Sequence, residues 1–521
     1  MFVVDAVLAL APLLLIFYLI LIRRMAADLA GVLAWFFCGL LACLYFGTSV
    51  SVVLAASLSG LVASLPVALS ISFGMLLVAI MVEAGAMGRI AALLKSVAPK
   101  DKSAQILLIC CGGGIVLTTV GAGPFAMIPA ILVAVGYPAG LAILLTCAGF
   151  AGGCTFALLA TPAQVLAAFC DVSLAEVGYM LAWLMPVTNI CMALVCLWAA
   201  GRGPLVREGV IPACIMGGVC TLGTLAAARL DIMPLAGFVV GVGIMLGILL
   251  YLRARGHPLI DRSPPDGREL AAEKRIGLAA ALAPWSLMLL FGLLVHMPSL
   301  PLHGIIRKYP VTLHIIPDRP EHLRLFTQTY FWLLVSIILS LPFLRVGPRR
   351  LGKCLKTWAG RAPRPFVACS VYFAIAYVFT HSGKDAAWLL KSPDNNMIAI
   401  LASAAAGIFG QGYAIVAPFM GLAAGSLTGS QTAGIAMLTE LHIKTAAAID
   451  GPGAFIAVGS AMGAGIAGIL SPAKLMSAAA SIGAIGEENA VLRSIILIGL
   501  GVTLILAVNT LIVCLVMEAR Y

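Results

Sequence analysis

The sequence predicts an all-α polytopic membrane protein. Of its 521 residues, 62% are hydrophobic and only 10% are charged. A soluble domain has roughly 45–50% apolar and about 25% charged residues. The apolar residues fall in unbroken runs, not in the short alternating segments of an outer-membrane barrel. A membrane-crossing helix needs about 20 mostly apolar residues, so the content accommodates about 12–14 of them. The same figures exclude a soluble globular protein, a disordered chain and a nucleic-acid binder, although the net charge is +11.

The basic excess has a topological reading, because cytoplasmic loops of membrane proteins are rich in Lys and Arg. The basic clusters are Arg23 with Arg24, then Arg89 to Lys102, Arg202 with Arg207, Arg253 to Arg275, and Arg345 to Arg364. With all five facing the cytoplasm, every interval holds an even number of crossings and the N-terminus lies outside. The first apolar stretch, 6–22, follows Asp5 and precedes Arg23. A cleavable signal carries its charge before the apolar region, so this stretch reads as a retained first helix. The fourteen cysteines lie mostly inside apolar runs without a CxxC pair, which indicates packing and no metal or cofactor.

Four regions follow: an N-terminal helix over 1–28, a first transmembrane repeat over 29–200, linking helices over 201–327 with polar loops 253–277 and 297–327, and a second repeat over 328–521. The run 49–86 is too long for one span and contains Pro66, so it reads as a broken pair or as a span plus a surface piece. His296, His303, His314 and His322 flank or occupy the second loop at irregular spacing. Surface histidines are the expected reading and a metal site the sharper alternative.

The halves share a plan. A helix over 29–47 starts inside and is followed about 92 residues later by a glycine-rich break; a helix over 328–344 starts outside and is followed about 101 residues later by another. Opposite starting sides with similar spacing indicate inverted-topology repeats with broken or re-entrant helices. The breaks are TTVGAGP at 118–124 and GSLTGSQT at 425–432. Backbone groups exposed to lipid cost several kcal/mol each, so an interrupted helix is tolerated only where protein or water covers it. Paired breaks therefore point to a substrate site. Gly121, Gly123 and Gly429 permit unwound backbone. Helix N-termini beside them suit a carboxylate, and Thr428, Ser430, Gln431 and Thr432 add side-chain donors. Lys474 follows Ser471-Pro472 at a predicted helix start and supplies a cation for an anionic substrate. Packing through small residues is the competing explanation of the glycines.

Ionisable residues inside membrane segments are functional by default. Glu440 and Lys444 are four apart and share a helix face; with Asp450 they are the candidates for ion coupling. Asp450 reads first as part of a turn, and Glu487 with Glu488 as an aqueous helix end. His442 lies in the same stretch. Tyr372, Tyr377, His381, Ser382, Lys384 and Asp385 form a second polar cluster, with His381 expected on a loop.

These segments resemble the L-lactate permease family. AIAYVFTHSG at 374–383, PFMGLAAGSLTGSQT at 418–432, ILSPAKL at 469–475 and GEENAVLR at 486–493 are similar to the family's C-terminal motifs in order and spacing. In the first half, GAGPFA at 121–126 and GYPAGLA at 136–142 are similar to two further motifs. The resemblance implies inward movement of L-lactate, or in some members glycolate, with protons, across a bacterial or archaeal plasma membrane. It places Thr428, Gly429, Ser430 and Thr432 at the substrate site. There are departures. Leu117 stands where the family usually has Glu, Ala122 where it has Phe, Gly468 where it has Lys, and Gln431 where it has Asn or Asp. They suggest a divergent member that moves another small anion, such as glycolate, a different carboxylate or a sulfonate, or exports it, with sodium as an alternative to the proton. An anion channel and an intramembrane enzyme are more distant readings; no P-loop, GxSxG or HExxH motif is present.

Overall fold

The computed structural model describes residues 2–23, 25–95, 101–121, 124–259, 273–296, 306, 311–317, 319–323, 325–484 and 486–518. Among them, ten helices are long and apolar enough to cross a membrane and four more are shorter apolar helices. The chain is an all-α polytopic membrane protein, with one small β-hairpin among the described residues.

The first half opens with α1 (Phe2–Phe17), α2 (Ala27–Leu44) and α3 (Val50–Ala84). The run read as a broken pair or as a span plus a surface piece is one continuous helix of 35 residues, about 52 Å long. Pro66 lies inside it. A proline removes one helical hydrogen bond, and Ser70 Oγ bonds the Pro66 carbonyl oxygen at 2.6 Å. Gly85 ends the helix in the left-handed conformation, with φ 82°. The short α4 (Ala86–Lys95) follows.

Then comes α5 (Lys102–Thr119), widened to a π-helix over Leu107–Gly113. After an interruption, α6 (Pro124–Val135) leads through a turn to α7 (Ala139–Gly149). A second interruption, the 3-10 turn Ala151–Phe156, leads to α8 (Ala157–Cys170). A capping box at Ser173 and Glu176 starts α9 (Leu174–Arg229), which kinks at Arg202. α10 (Ala236–Ala254) and α11 (Leu278–His296) complete the linking region.

The loop 297–327 contains an antiparallel hairpin of β1 (Val311–Ile316) and β2 (Arg319–Leu323), which packs on α3. His314 is exposed on it. His303 and the side chains of His296 and His322 lie outside the described residues.

The second half contains α12 (Thr329–Leu344), α13 (Pro348–Arg361) and α14 (Pro363–His381). It continues with α15 (Met397–Phe409), α16 (Tyr413–Thr428), α17 (Gln431–Ala448), α18 (Gly453–Ile466), α19 (Pro472–Ser481) and α20 (Glu488–Glu518). The succession helix, break, helix, turn, helix, break, helix in α5–α8 recurs in α16–α19.

The two sets interlock. α17 packs on α8, α19 on α6 and α7, and α18 on the 3-10 turn Ala151–Phe156. Close backbone approach makes this possible. A side chain at Gly421 would collide with the Ser460 carbonyl, and one at Gly463 with the Pro418 carbonyl, so α16 and α18 touch through bare backbone. α14 lies along α3 in the same way, with Gly60 against Phe373 and Ala374.

Candidate functional site

A cavity of about 760 Å³ opens where the breaks meet. Four interruptions contribute to its wall: Gly121 and Pro124 from the first, Leu158 from the second, Ser430 to Thr432 from the third, and Lys474 after the fourth. α3 adds Gly74 and Glu83, and α13 adds Lys353, Trp358 and Arg361.

The first break forms because Val120 leaves helical geometry and Gly121 takes φ 74°. A Cβ on Gly121 would lie 2.8 Å from Leu158 Cδ2, so both the backbone angle and the space call for glycine. Gly123 lies outside the described residues. The second break has no glycine at its sharpest point. Leu158, Leu159 and Ala160 form a left-handed turn with φ 50°, 54° and 58°. Thr161 Oγ1 donates to the Leu158 carbonyl at 2.6 Å, and Gln164 Nε2 to the Leu159 carbonyl at 2.8 Å. Those bonds occupy carbonyls that a regular helix would have paired.

In the third break Gly429 has φ 68° and Ser430 caps α17, its Oγ accepting from the Ala433 N–H at 3.3 Å. Thr428 Oγ1 donates to the Ala424 and Ser430 carbonyls at 2.8 and 3.0 Å. Gln431 extends across to the other half. Its Nε2 donates to Thr155 Oγ1 and to the Ala461 carbonyl, each at 2.8 Å. Reversing the amide would set two acceptors against each other at Ala461, which fixes its orientation. Beyond the fourth break, Lys474 sits in the first turn of α19 with its Nζ 5.9 Å from the centre of the Phe125 ring.

Three cations and one carboxylate line the cavity: Lys353, Arg361 and Lys474 against Glu83. Lys353 pairs with Glu83 at 3.7 Å. Among the described residues, neither Arg361 nor Lys474 has a carboxylate within ion-pair distance. The excess positive charge fits an anion, and the mostly apolar remainder of the wall strengthens its attraction.

Of the residues singled out in the sequence, Gly121, Ser430, Gln431, Thr432 and Lys474 line this space, with Thr428 and Gly429 forming the bend behind Ser430. Glu440, Lys444 and Asp450 do not line it. Glu440 and Lys444 pair at 3.7 Å on α17. Asp450, with φ 53°, sits in the turn beyond α17, about 27 Å along that helix from Gln431. There it joins Glu176, Trp183 and Phe455 in a separate cleft of about 690 Å³, whose charged residues are both acidic.

His442 is fully enclosed, its Nδ1 2.8 Å from Tyr413 Oη and its Nε2 2.7 Å from Ser460 Oγ. His381, expected on a loop, is buried at the end of α14 beside Trp388, and its Nδ1 lies 3.1 Å from Lys384 Nζ. Thr155, Leu158 and the wall of α13 went unnoticed in the sequence. Gly149, Gly152 and Gly153 just before them, and Pro162 just after, were the available signal.

No curated protein gives a significant match to this chain. The family model for L-lactate permease matches residues 5–517, nearly the full length and both sets of broken helices. On that match, the chain belongs to the L-lactate permease family.

Proposed function

We propose that this protein is a secondary transporter that carries L-lactate or a similar small organic anion inward together with protons. Family membership implies lactate transport and a permease rather than an enzyme. The observation that carries the reading further is Lys474, a cation without an acidic partner among the described residues, facing a cavity walled by four helix interruptions.

In this reading Lys474 attracts the carboxylate, while Ser430 and Thr432 at the start of α17 supply donors beside the positive end of that helix. The recurrence of α5–α8 in α16–α19 is read as an inverted-topology repeat, in which one half rocks against the other around a fixed midplane site. By the positive-inside rule, the end carrying Lys353 and Arg361 faces the cytoplasm and the N-terminus lies outside. The cavity is then open inward, and the cleft at Asp450 lies toward the opposite face. Glu440, Lys444 and Asp450 remain the proposed ion-coupling residues, away from the cavity along α17.

The test is uptake of radiolabelled L-lactate into proteoliposomes under an imposed proton gradient, then a sodium gradient. Uptake driven by the proton gradient and blocked by unlabelled lactate is the expected result. Sodium-driven uptake overturns the coupling ion alone. No uptake, and no competition by lactate, overturns the substrate and directs a screen of glycolate, pyruvate and small sulfonates.

A further inference from the structure

α13 is the least embedded part of the cavity wall. Cys354 is its only buried residue. Leu351, Cys354, Leu355 and Trp358 recur at helical spacing and form one narrow apolar stripe. That stripe rests on α3: Trp358 Nε1 donates to the Ser72 carbonyl at 2.7 Å, and Cys354 Sγ lies 3.6 Å from the Ala79 carbonyl. Leu355 at its edge stays 40% exposed.

The remaining surface is cationic. Arg345, Arg349, Arg350, Lys353, Lys356, Arg361 and Arg364 fall within 345–364, and no acidic residue does. Lys353 and Arg361 belong to the cavity and Arg364 lies 3.9 Å from Asp28. Arg349, Arg350 and Lys356 are exposed and have no ion-pair partner among the described residues.

Such a helix cannot lie in hydrocarbon, where each Lys or Arg is strongly disfavoured. Its neighbours place it at the edge of that layer. Phe343, just before it, is 55% exposed and Val367, just after it, 38%, so lipid-facing apolar surface ends where α13 begins and resumes where it stops. A basic amphipathic helix at that level matches the negative headgroups of acidic phospholipids.

We propose that α13 is a docking surface for acidic phospholipid headgroups, held by Arg349, Arg350 and Lys356. The same helix presents Lys353, Trp358 and Arg361 to the cavity, so bound lipid fixes one wall of the site from outside. Two faces of one helix thus serve two anions, the cargo within and the bilayer without.

The experiment measures lipid retained by the purified full-length protein, by native mass spectrometry, with phosphatidylglycerol or phosphatidylcholine added in turn. Wild type is expected to retain phosphatidylglycerol severalfold over phosphatidylcholine, and progressively less as salt is raised. The triple variant R349Q/R350Q/K356Q loses that preference at an unchanged unfolding temperature, and R202Q/R207Q keeps it. Equal retention of the two lipids by wild type overturns the proposal. So does a triple variant that retains the preference, or displacement of the lipid by inorganic phosphate, which would mark a small-anion site. If the triple variant does not fold, R350Q alone is measured, and an undiminished preference there, together with salt-insensitive retention by wild type, is the overturning result.

Discussion

Gln431 Nε2 lies 2.8 Å from Thr155 Oγ1, although 276 residues separate them in sequence. The bond joins the start of α17 to the 3-10 turn before α8, and so ties the two sets of broken helices at the cavity wall. Gln431 stands where the family resemblance places Asn or Asp, and its extra methylene gives it the longer reach. Replacing it by Leu leaves the Ala461 carbonyl and the Thr155 hydroxyl without this donor. Thr155 keeps its contact with Met462 Sδ at 3.6 Å, so the loss is that of the hydrogen bonds themselves, about 0.5–1.5 kcal/mol each. Gln431→Leu is therefore expected to lower the unfolding temperature measurably and abolish uptake. Thr155→Val, which keeps the Ala461 bond, is expected to lower stability by about 1 kcal/mol. Thermal unfolding in detergent, run beside uptake, checks both. Equal stability of wild type and Gln431→Leu would show that the bond does not hold the halves.

Lys474 lies over the ring of Phe125, which follows the first break. A hydrogen bond to a charged group is worth about 1.5–3 kcal/mol, so Lys474→Gln is expected to raise the half-saturating lactate concentration about 10- to 100-fold. Lys474→Arg keeps the charge and is expected to be milder. If Lys474→Gln is saturated at the wild-type concentration, the anion is held elsewhere.

The left-handed glycines of the first and third breaks, Gly121 and Gly429, are not equivalent. An alanine at either position costs about 1–2 kcal/mol for its backbone angle. At Gly121 the added Cβ also meets Leu158 Cδ2 at 2.8 Å, whereas at Gly429 the nearest atom, Ser471 Oγ, is 3.4 Å away. Gly121→Ala is thus expected to be the more damaging substitution, in both unfolding temperature and uptake. The reverse order would show that the Leu158 contact is easily relieved.

Glu321 anchors the hairpin. Its Oε1 accepts from Ser59 Oγ on α3 and from Tyr377 Oη on α14, both at 2.8 Å. Glu321→Ala removes the acceptor shared by the Ser59 and Tyr377 hydroxyls. The hairpin is expected to be cleaved severalfold faster in limited proteolysis, while Glu321→Gln, which retains an acceptor, stays closer to wild type. Unchanged cleavage of Glu321→Ala would assign the hairpin's hold to its packing on α3 alone.

The sequence displayed the parts of the candidate site that depend on glycine and on charge. Gly121 and Gly429 announce left-handed backbone because few other residues adopt it readily, and Lys474 stands out because lysine is rare in such surroundings. The turn at Leu158, Leu159 and Ala160 was hidden, since these apolar residues ordinarily continue a helix; the local hydrogen bonds from Thr161 and Gln164 that accompany the turn carry no glycine signal. α3 misled in the opposite direction: Pro66 suggests a break, but packing along α14 holds the helix continuous. α13 looked like a loop of positive charge because its role in the wall depends on which element it rests against, a long-range fact.

The distance in sequence between Thr155 and Gln431 also bears on how the protein is made. Synthesis runs from the N-terminus, so α5–α8 enter the bilayer well before α17–α19 exist. Until those arrive, the turn at Leu158 and the 3-10 turn before it lack the partners that enclose them. The nascent first half therefore waits with interrupted backbone uncovered, in need of water, a holding factor or the translocation channel itself as temporary shelter. A chain that terminates early leaves this region permanently unsheltered, and quality-control proteases have a ready target in it.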